Sequence, residues 1–449
     1  MYDILIKNGT VVLENKTAYV NIGIKDGKIA SIMSRDVAAE ASQELDCRGK
    51  YVMPGAIDAH SHVTYCDTFR NGSKAAVAGG ITTIIEMPLS QTLQAVLNPD
   101  IFEERIELGE KECVGDFALW GGVQPMKYRE AEELKKLGAA AFKVFTNYVG
   151  EEYRYFDDYA LKTFMDFAGK MDGLIGIHAE NESICRGYSE FYKQQGSGAE
   201  SYNQARPIIA EMEAVNRVCL YALETGCKVH ICHVSSPKVA EIILAAKKRG
   251  AKISFETCPH YLLLTENDIK IYGAYAKCNP PMRTEQEKDG LWALIEQGEI
   301  ECIGSDHSAY SEQQKETGDF WAAPGGFPGN DIMVYAILDN GVGKGRMSWN
   351  AAAKILSKRP AEIFGISDRK GAIQVGLDAD LMIVDPQLEW VFHAEDTFYG
   401  NKSKKYPFEN KKFHCKVEIT MVRGKVVYKN GKIMVPEGYG KFIKAGGKK

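Results

Sequence analysis

The stretch KVHICHVSSPKVAEIILAAKKRGAKISFETC, residues 228–258, holds two apolar, β-branched runs, KVHICHV and KISFETC, on either side of a helical pattern. Ser236 can cap that helix, Pro237 suits its first position and Gly250 can end it. Both runs are near-continuously apolar rather than alternating, as strands covered on two faces must be. A unit of this kind implies parallel strands. The pattern recurs in AIDAHSH (56–62), ITTIIEM (81–87), DFALWGG (116–122), AAFKVF (140–145), LIGIHA (174–179) and ECIGSD (301–306), most of them followed by a helix-like segment. Eight such strands alternating with helices close most simply as a (β/α)8 barrel.

The two ends of the chain read differently. YVNIGIKDGKIASI places Val20, Ile22 and Ile24 on one face and turns at Asp26-Gly27; KVVYKNGKIMV turns at Asn430-Gly431. Alternation around a DG or NG pair is a hairpin signal. Neither end alone buries a full sheet, so the two are expected to pair as one small β domain. The expected division is residues 1–54 and 367–449 for the two parts of that β-sandwich and 55–366 for the barrel.

With 449 residues, 45% of them apolar and 26% charged, the chain is long enough for a large barrel with an appendage. A net charge of −5 and no basic stripe beyond the tail GKFIKAGGKK argue against a nucleic-acid partner, and the tail reads as a solvated end. No apolar run is long enough to span a membrane, and MYDILIKNGT lacks the segments of a signal peptide. The cysteines, 11 in all, are scattered, with no CxxC pair. They read as reduced thiols of a cytoplasmic protein.

In a barrel of this type, active sites sit where strands exit at their C-terminal ends. Polar residues recur at those exits: His60 and His62 after the first run, Lys143 in the fourth, His178 after the fifth, His233 after the sixth, Asp306 after the eighth. His60 and His62, two apart, point to one side of a strand and can share a cation at about 2.0–2.1 Å. The bland reading of such a pair is a polar strand end with satisfied histidines, and a lone His178 or His233 is ordinarily just hydrogen-bonded. Their common placement moves the reading to metal. His230, three residues before His233, should face away from the axis, and His260 reads as structural or pocket-lining. Lys143, inside an apolar strand, must be neutralised, paired or chemically changed. Carbamylation into a metal-bridging carboxylate is one resolution; an ion pair or a snorkelling side chain is the other. Asp306 suits a metal ligand and a proton-accepting base, or else a cap for the next helix. His307 reads as a support rather than a ligand.

These residues resemble the cyclic amidohydrolases, a branch of the metal-dependent amidohydrolase superfamily, across nearly the whole chain: PGAIDAHSH, AGGITTIIEMP, FKVF, IHAEN, HICHVSS, ETCPHYL, NPPMR, GSDHSAY and GLDADLMIVD. The resemblance implies a (β/α)8 barrel with a split β-sandwich and a site for two divalent metals, zinc first, with manganese, cobalt or iron as alternatives. It places His60, His62 and Asp306 on one metal and His178 and His233 on the other, with carbamylated Lys143 and a hydroxide bridging them and Asp306 shuttling the proton. Substrate contacts are implied for Tyr148, Asn279 and the backbone near Gly325, with Tyr148 stabilising the oxyanion. ITTIIEMPLS, ETCPHYL and SDHS look most like allantoinases, although Ser90 stands where their usual asparagine would. Tyr148, five residues after Lys143, and GGFPG lean towards hydantoinases and dihydropyrimidinases. The stretch after His62, VTYCDTF, lacks the arginine of dihydroorotases. The expected reaction is therefore ring opening of a small cyclic ureide, allantoin to allantoate, with hydantoinase or dihydropyrimidinase activity second. Dihydroorotase and a non-catalytic relative stand further back; the latter would have lost ligands, and none is lost here. A homo-oligomer, tetrameric in many relatives, is also implied.

Overall fold

The computed structural model describes residues 1–150 and 153–446. The eight runs form the parallel strands of a barrel: Ala56–Ser61, Ile81–Glu86, Asp116–Gly122 with a break at Trp120, Phe142–Phe145, Leu174–His178, Lys228–Ile231, Ile253–Thr257 and Cys302–Ile303. Neighbours pair in parallel in chain order from the first strand to the eighth. Closure comes from the eighth strand meeting the first. The Asp306 amide donates to His60 O at 2.8 Å, the His62 amide donates to His307 O at 2.9 Å, and buried Asp58 accepts from the Ser305 amide and hydroxyl at 3.0 and 2.6 Å. The helix after the sixth strand runs Pro237–Lys248, with Ser236 as its cap, as its sequence predicts.

The barrel floor is filled by Trp120, whose indole N–H donates to Ala59 O at 3.0 Å. Gly176 makes room for it, since a Cβ there would sit 2.1 Å from the ring. Polar ends of the strands are thereby lifted towards the opposite mouth, above an apolar plug.

Strands from both ends of the chain form one ten-stranded sheet. The two hairpins expected from the sequence turn as read: Thr17–Lys25 pairs with Lys28–Ser34, and Lys425–Lys429 with Lys432–Ile433, with Asp26, Gly27, Asn430 and Gly431 all at positive φ. The seam between the ends is Tyr51–Pro54 against Leu381–Asp385. All eleven cysteines are unpaired, and no helix among the described residues is long and apolar enough to cross a membrane.

The carboxyl end departs from its reading as a solvated tail. Residues 441–446 lie along the start of the third barrel strand, where the Ile443 amide donates to Phe117 O at 2.7 Å. The Ile443 side chain is buried in the same apolar cluster as Trp120 and Phe364. Phe442 packs its ring against Phe102 and Phe117. Two apolar residues among the lysines are enough to dock the segment.

Sandwich and barrel are tied by a buried ion cluster. The Lys370 ammonium, fully enclosed, donates to Asp116 at 2.5 Å and Asp380 at 2.7 Å and lies 3.0 Å from Asp378; Asp116 also pairs with Arg423. Removing one member of such a cluster strands buried charges. Lys370→Met should therefore lower stability by about 3–5 kcal/mol, read as a shifted urea midpoint; an unchanged midpoint would show that the cluster holds nothing together.

Candidate metal centre

Three donor atoms meet where the first and eighth strands close. His60 Nε2 and His62 Nε2 are 3.3 Å apart, and Asp306 Oδ1 lies 3.2 Å from the first and 3.3 Å from the second. Donors on a tetrahedral zinc at 2.0–2.1 Å are separated by about 3.3–3.4 Å. The triangle thus has the edge length of a metal coordination face, and its donor types suit zinc and other divalent ions.

Beside it stand His178 and His233, their ring centroids 4.5 Å apart, with His233 5.3 Å from His60. Lys143 is 1% exposed and points its amine at Cys232 Sγ, 3.4 Å away, and over the Phe145 ring. Among the described residues it neither reaches solvent nor forms an ion pair with a carboxylate. His233 and Asp306 adopt left-handed φ of 38° and 49°. That conformation is strained for residues with a Cβ and clusters at functional sites.

The electrostatics match metal ligation. Burial pushes His62 down to about 4, and burial likewise lowers His178 and His233, so these imidazoles are neutral near pH 7 and keep a lone pair. For Asp306, burial opposes ionisation, but the His60 and His62 imidazoles overcome it and hold the carboxyl well below the usual range. His60 moves upward: burial and Lys143 oppose its protonation, and the Glu256 and Asp306 carboxylates outweigh them.

Residues not singled out from the sequence orient these ligands. Glu256, inside KISFETC and fully buried, engages His60 Nδ1 and accepts from the His233 amide at 3.3 Å. Accepting the Nδ1–H hydrogen bond holds His60 in the tautomer whose Nε2 lone pair is free for a metal. Gly304 allows this approach, since a Cβ there would lie 2.6 Å from Glu256. Glu180 does the same for the next ligand: it bonds His178 Nε2 at 2.7 Å, which directs Nδ1 to the site, and is itself clamped by Arg206. Glu86 accepts from the Val63 and Thr64 amides at 2.9 and 2.7 Å and so fixes the turn that carries His62. A carboxylate inside an apolar strand was the available signal for Glu256 and Glu86, the same signal that marked Lys143.

His230 does not face away from the axis as alternation predicts. Its Nε2 lies 3.3 Å from Glu256 Oε2, its Nδ1 meets Ser254 Oγ at 2.9 Å and its ring packs on Phe364. The strand ends at Ile231 and His233 turns back through its positive φ, so both histidines reach the interior. His307 accepts from the Gly329 amide at 3.3 Å, and His260 packs against Tyr261 and Phe327; neither joins the donor cluster.

The six candidate ligands form the floor of a cleft of about 440 Å³ that Tyr148, Asn279 and Gly325 also line. Tyr148 is half exposed at its edge, with its backbone amide donating to Glu182 at 2.7 Å. Asn279 accepts from the Tyr202 hydroxyl, and its Nδ2 would lie 3.0 Å from a Cβ on Gly325. A side chain at 325 would therefore displace Asn279.

Residues 51–427 match the sequence model of the family described as "Amidohydrolase family". The chain is 34% identical over 438 residues to an allantoinase of Salmonella newport and equally to one of Salmonella typhimurium, with 95% of each chain covered. Its backbone superposes on an L-hydantoinase (dihydropyrimidinase) from Arthrobacter aurescens with a TM-score of 0.95 at 33% identity, covering 99% of this chain and 100% of that one. A dihydropyrimidinase from Brevibacillus agri gives a TM-score of 0.91 at 28% identity, with 98% of each chain covered. The chain belongs to the amidohydrolase family, whose superfamily is metal-dependent. More narrowly, it is a cyclic amidohydrolase, a hydrolase of cyclic amides.

Because Glu256 sets the tautomer of His60, Glu256→Gln should weaken metal retention by about 10–100-fold. Elemental analysis after graded dialysis against a chelator checks this; retention equal to the unaltered protein would remove Glu256 from the site.

Proposed function

We propose that this enzyme opens allantoin to allantoate, with His60, His62, Lys143, His178, His233 and Asp306 holding two divalent ions and Lys143 carbamylated. The observation that carries the reading is the 3.2–3.3 Å donor triangle of His60, His62 and Asp306 at the floor of a cleft. Zinc suits the imidazole and carboxylate donors; manganese, cobalt and iron are the alternatives. When bound, such ions supply Lewis acidity at the ring carbonyl and make a water nucleophilic near neutral pH.

The chain's own residues do the rest. Asp306, ionised, takes a proton from the attacking water and returns it to the departing ring nitrogen. Tyr148, at the cleft edge, donates to the carbonyl oxygen as negative charge develops on it. Asn279 and the backbone beside Gly325 hold the amide edge of the ring. The neutral imidazoles of His62, His178 and His233 keep the ligand set from repelling the ions.

Allantoin is favoured by the allantoinase relatives and by ETCPHYL and SDHS. Hydantoinase or dihydropyrimidinase activity is the second reading, favoured by Tyr148 and by the apolar Leu89, Phe145, Val149 and Trp321 in the cleft lining, which suit ring side groups. Side-by-side turnover of allantoin, hydantoin, 5-substituted hydantoins and dihydrouracil decides between them: allantoin should give the highest kcat/KM, and a clear preference for dihydropyrimidines overturns the first choice. The homo-oligomer belongs to the same proposal, with sizing of the purified chain as its check. Lys143→Ala should lose metal and at least about a thousandfold of activity, with partial return in short carboxylic acids. Full activity in that variant would refute the bridging role.

A further inference from the structure

Two more lysines are buried close to the cleft, and the reaction as described uses neither. Lys277 and Lys315 are 5% and 2% exposed. Each finds backbone carbonyls instead of a carboxylate. Lys277 Nζ donates to Phe320 O at 3.0 Å, Trp321 O at 3.0 Å and Ala323 O at 2.6 Å. Lys315 Nζ donates to Ala274 O at 3.0 Å, Pro324 O at 2.9 Å and Gly326 O at 2.6 Å. An ammonium has three N–H donors, so both are saturated.

Five of the six acceptors fall within residues 320–326, a segment with neither helix nor strand to give it shape. The Gly326 amide donates back to Lys277 O at 2.8 Å. Trp321, Pro324, Gly325 and Gly326 from this segment line the cleft opposite the metal-ligand candidates, whereas neither lysine does. The Trp321 indole is held in turn by Ser197 O at 2.7 Å. Burial pushes Lys277 down to about 8 and Lys315 to about 7. Enclosing these charges therefore works against folding, and apolar side chains of similar length would be easier to bury. What an ammonium does that a methionine cannot is draw successive carbonyls to one point.

We propose that Lys277 and Lys315 are positioning residues: they shape residues 320–326 into the cleft wall that carries Trp321 and Gly325, and so set which ring side groups the cleft admits. This rests on the cleft being the substrate site, so the test includes an arm that needs no turnover.

In the metal-loaded enzyme, Lys277→Met and Lys315→Met should each speed backbone hydrogen exchange across residues 318–328 by about tenfold or more, with metal content unchanged. For allantoin and 5-substituted hydantoins, KM should rise about tenfold while kcat stays within about threefold. Lys277→Gln and Lys315→Gln keep two N–H donors and should recover part of both effects; they carry the same readouts if a methionine variant does not fold. Lys135, which caps Met171 O and Asp172 O at the other end of the barrel, gives the control: Lys135→Met should move neither quantity. Unchanged exchange in the cleft-wall segment overturns the proposal whatever the activity. So does faster exchange with unaltered KM and unaltered substrate ranking. If the unaltered enzyme opens no cyclic ureide, the functional reading fails, and the exchange result alone decides whether the lysines hold the wall.

Discussion

The Glu256 carboxylate lies beneath the donor triangle with no exposed surface, and it is shared by His60, His230 and the backbone amide of His233. One side chain thereby links the first, sixth and seventh barrel strands. An ionised carboxylate taken out of water needs several strong partners, and here every partner is either a ligand candidate or a residue beside one. Moving any of those strands would unpair the carboxylate. The demand for charge compensation at Glu256 is therefore also what fixes the spacing of the donors above it.

The same logic repeats around the mouth at lower depth. Glu180 is clamped by Arg206 and steers His178, while Glu86 ties down the turn after His62. The rings of His60 and His178 are thus each backed by an acid that solvent does not reach, whereas His62 and His233 are held through backbone amides of their turns. Such second partners fix ring orientation and raise ligand basicity. The arrangement separates two settings: the inner carboxylates are enclosed and fix geometry, while Asp306 faces the cleft.

Much of this was legible in the sequence because two rules are local. A continuous apolar run followed by a capped helix names a barrel strand, and a polar residue at its exit names a mouth residue; His60, His62, Lys143, His178, His233 and Asp306 were all found that way, and the structure brings them together. The hairpins at Asp26-Gly27 and Asn430-Gly431 were equally local, since both central residues must take positive φ. What could not be read depends on distant chain. His230 was assigned to the wrong face because alternation assumes an extended strand, and His233 leaves that conformation without a glycine to announce it. Glu256 reads as an oddity in its strand until His60 is set against it. Lys277 and Lys315 look like surface lysines, because carbonyl acceptors carry no side-chain signature. Ile443 was lost among lysines.

That last residue has a practical meaning. With Ile443 seated beneath Trp120 and the Gly446 amide on Gly365 O, this segment lies at the end of the barrel away from the cleft. A bead, surface or fusion partner joined there through a spacer would leave the working entrance turned towards bulk liquid. Attachment near Tyr148 or Trp321 would instead stand in the doorway.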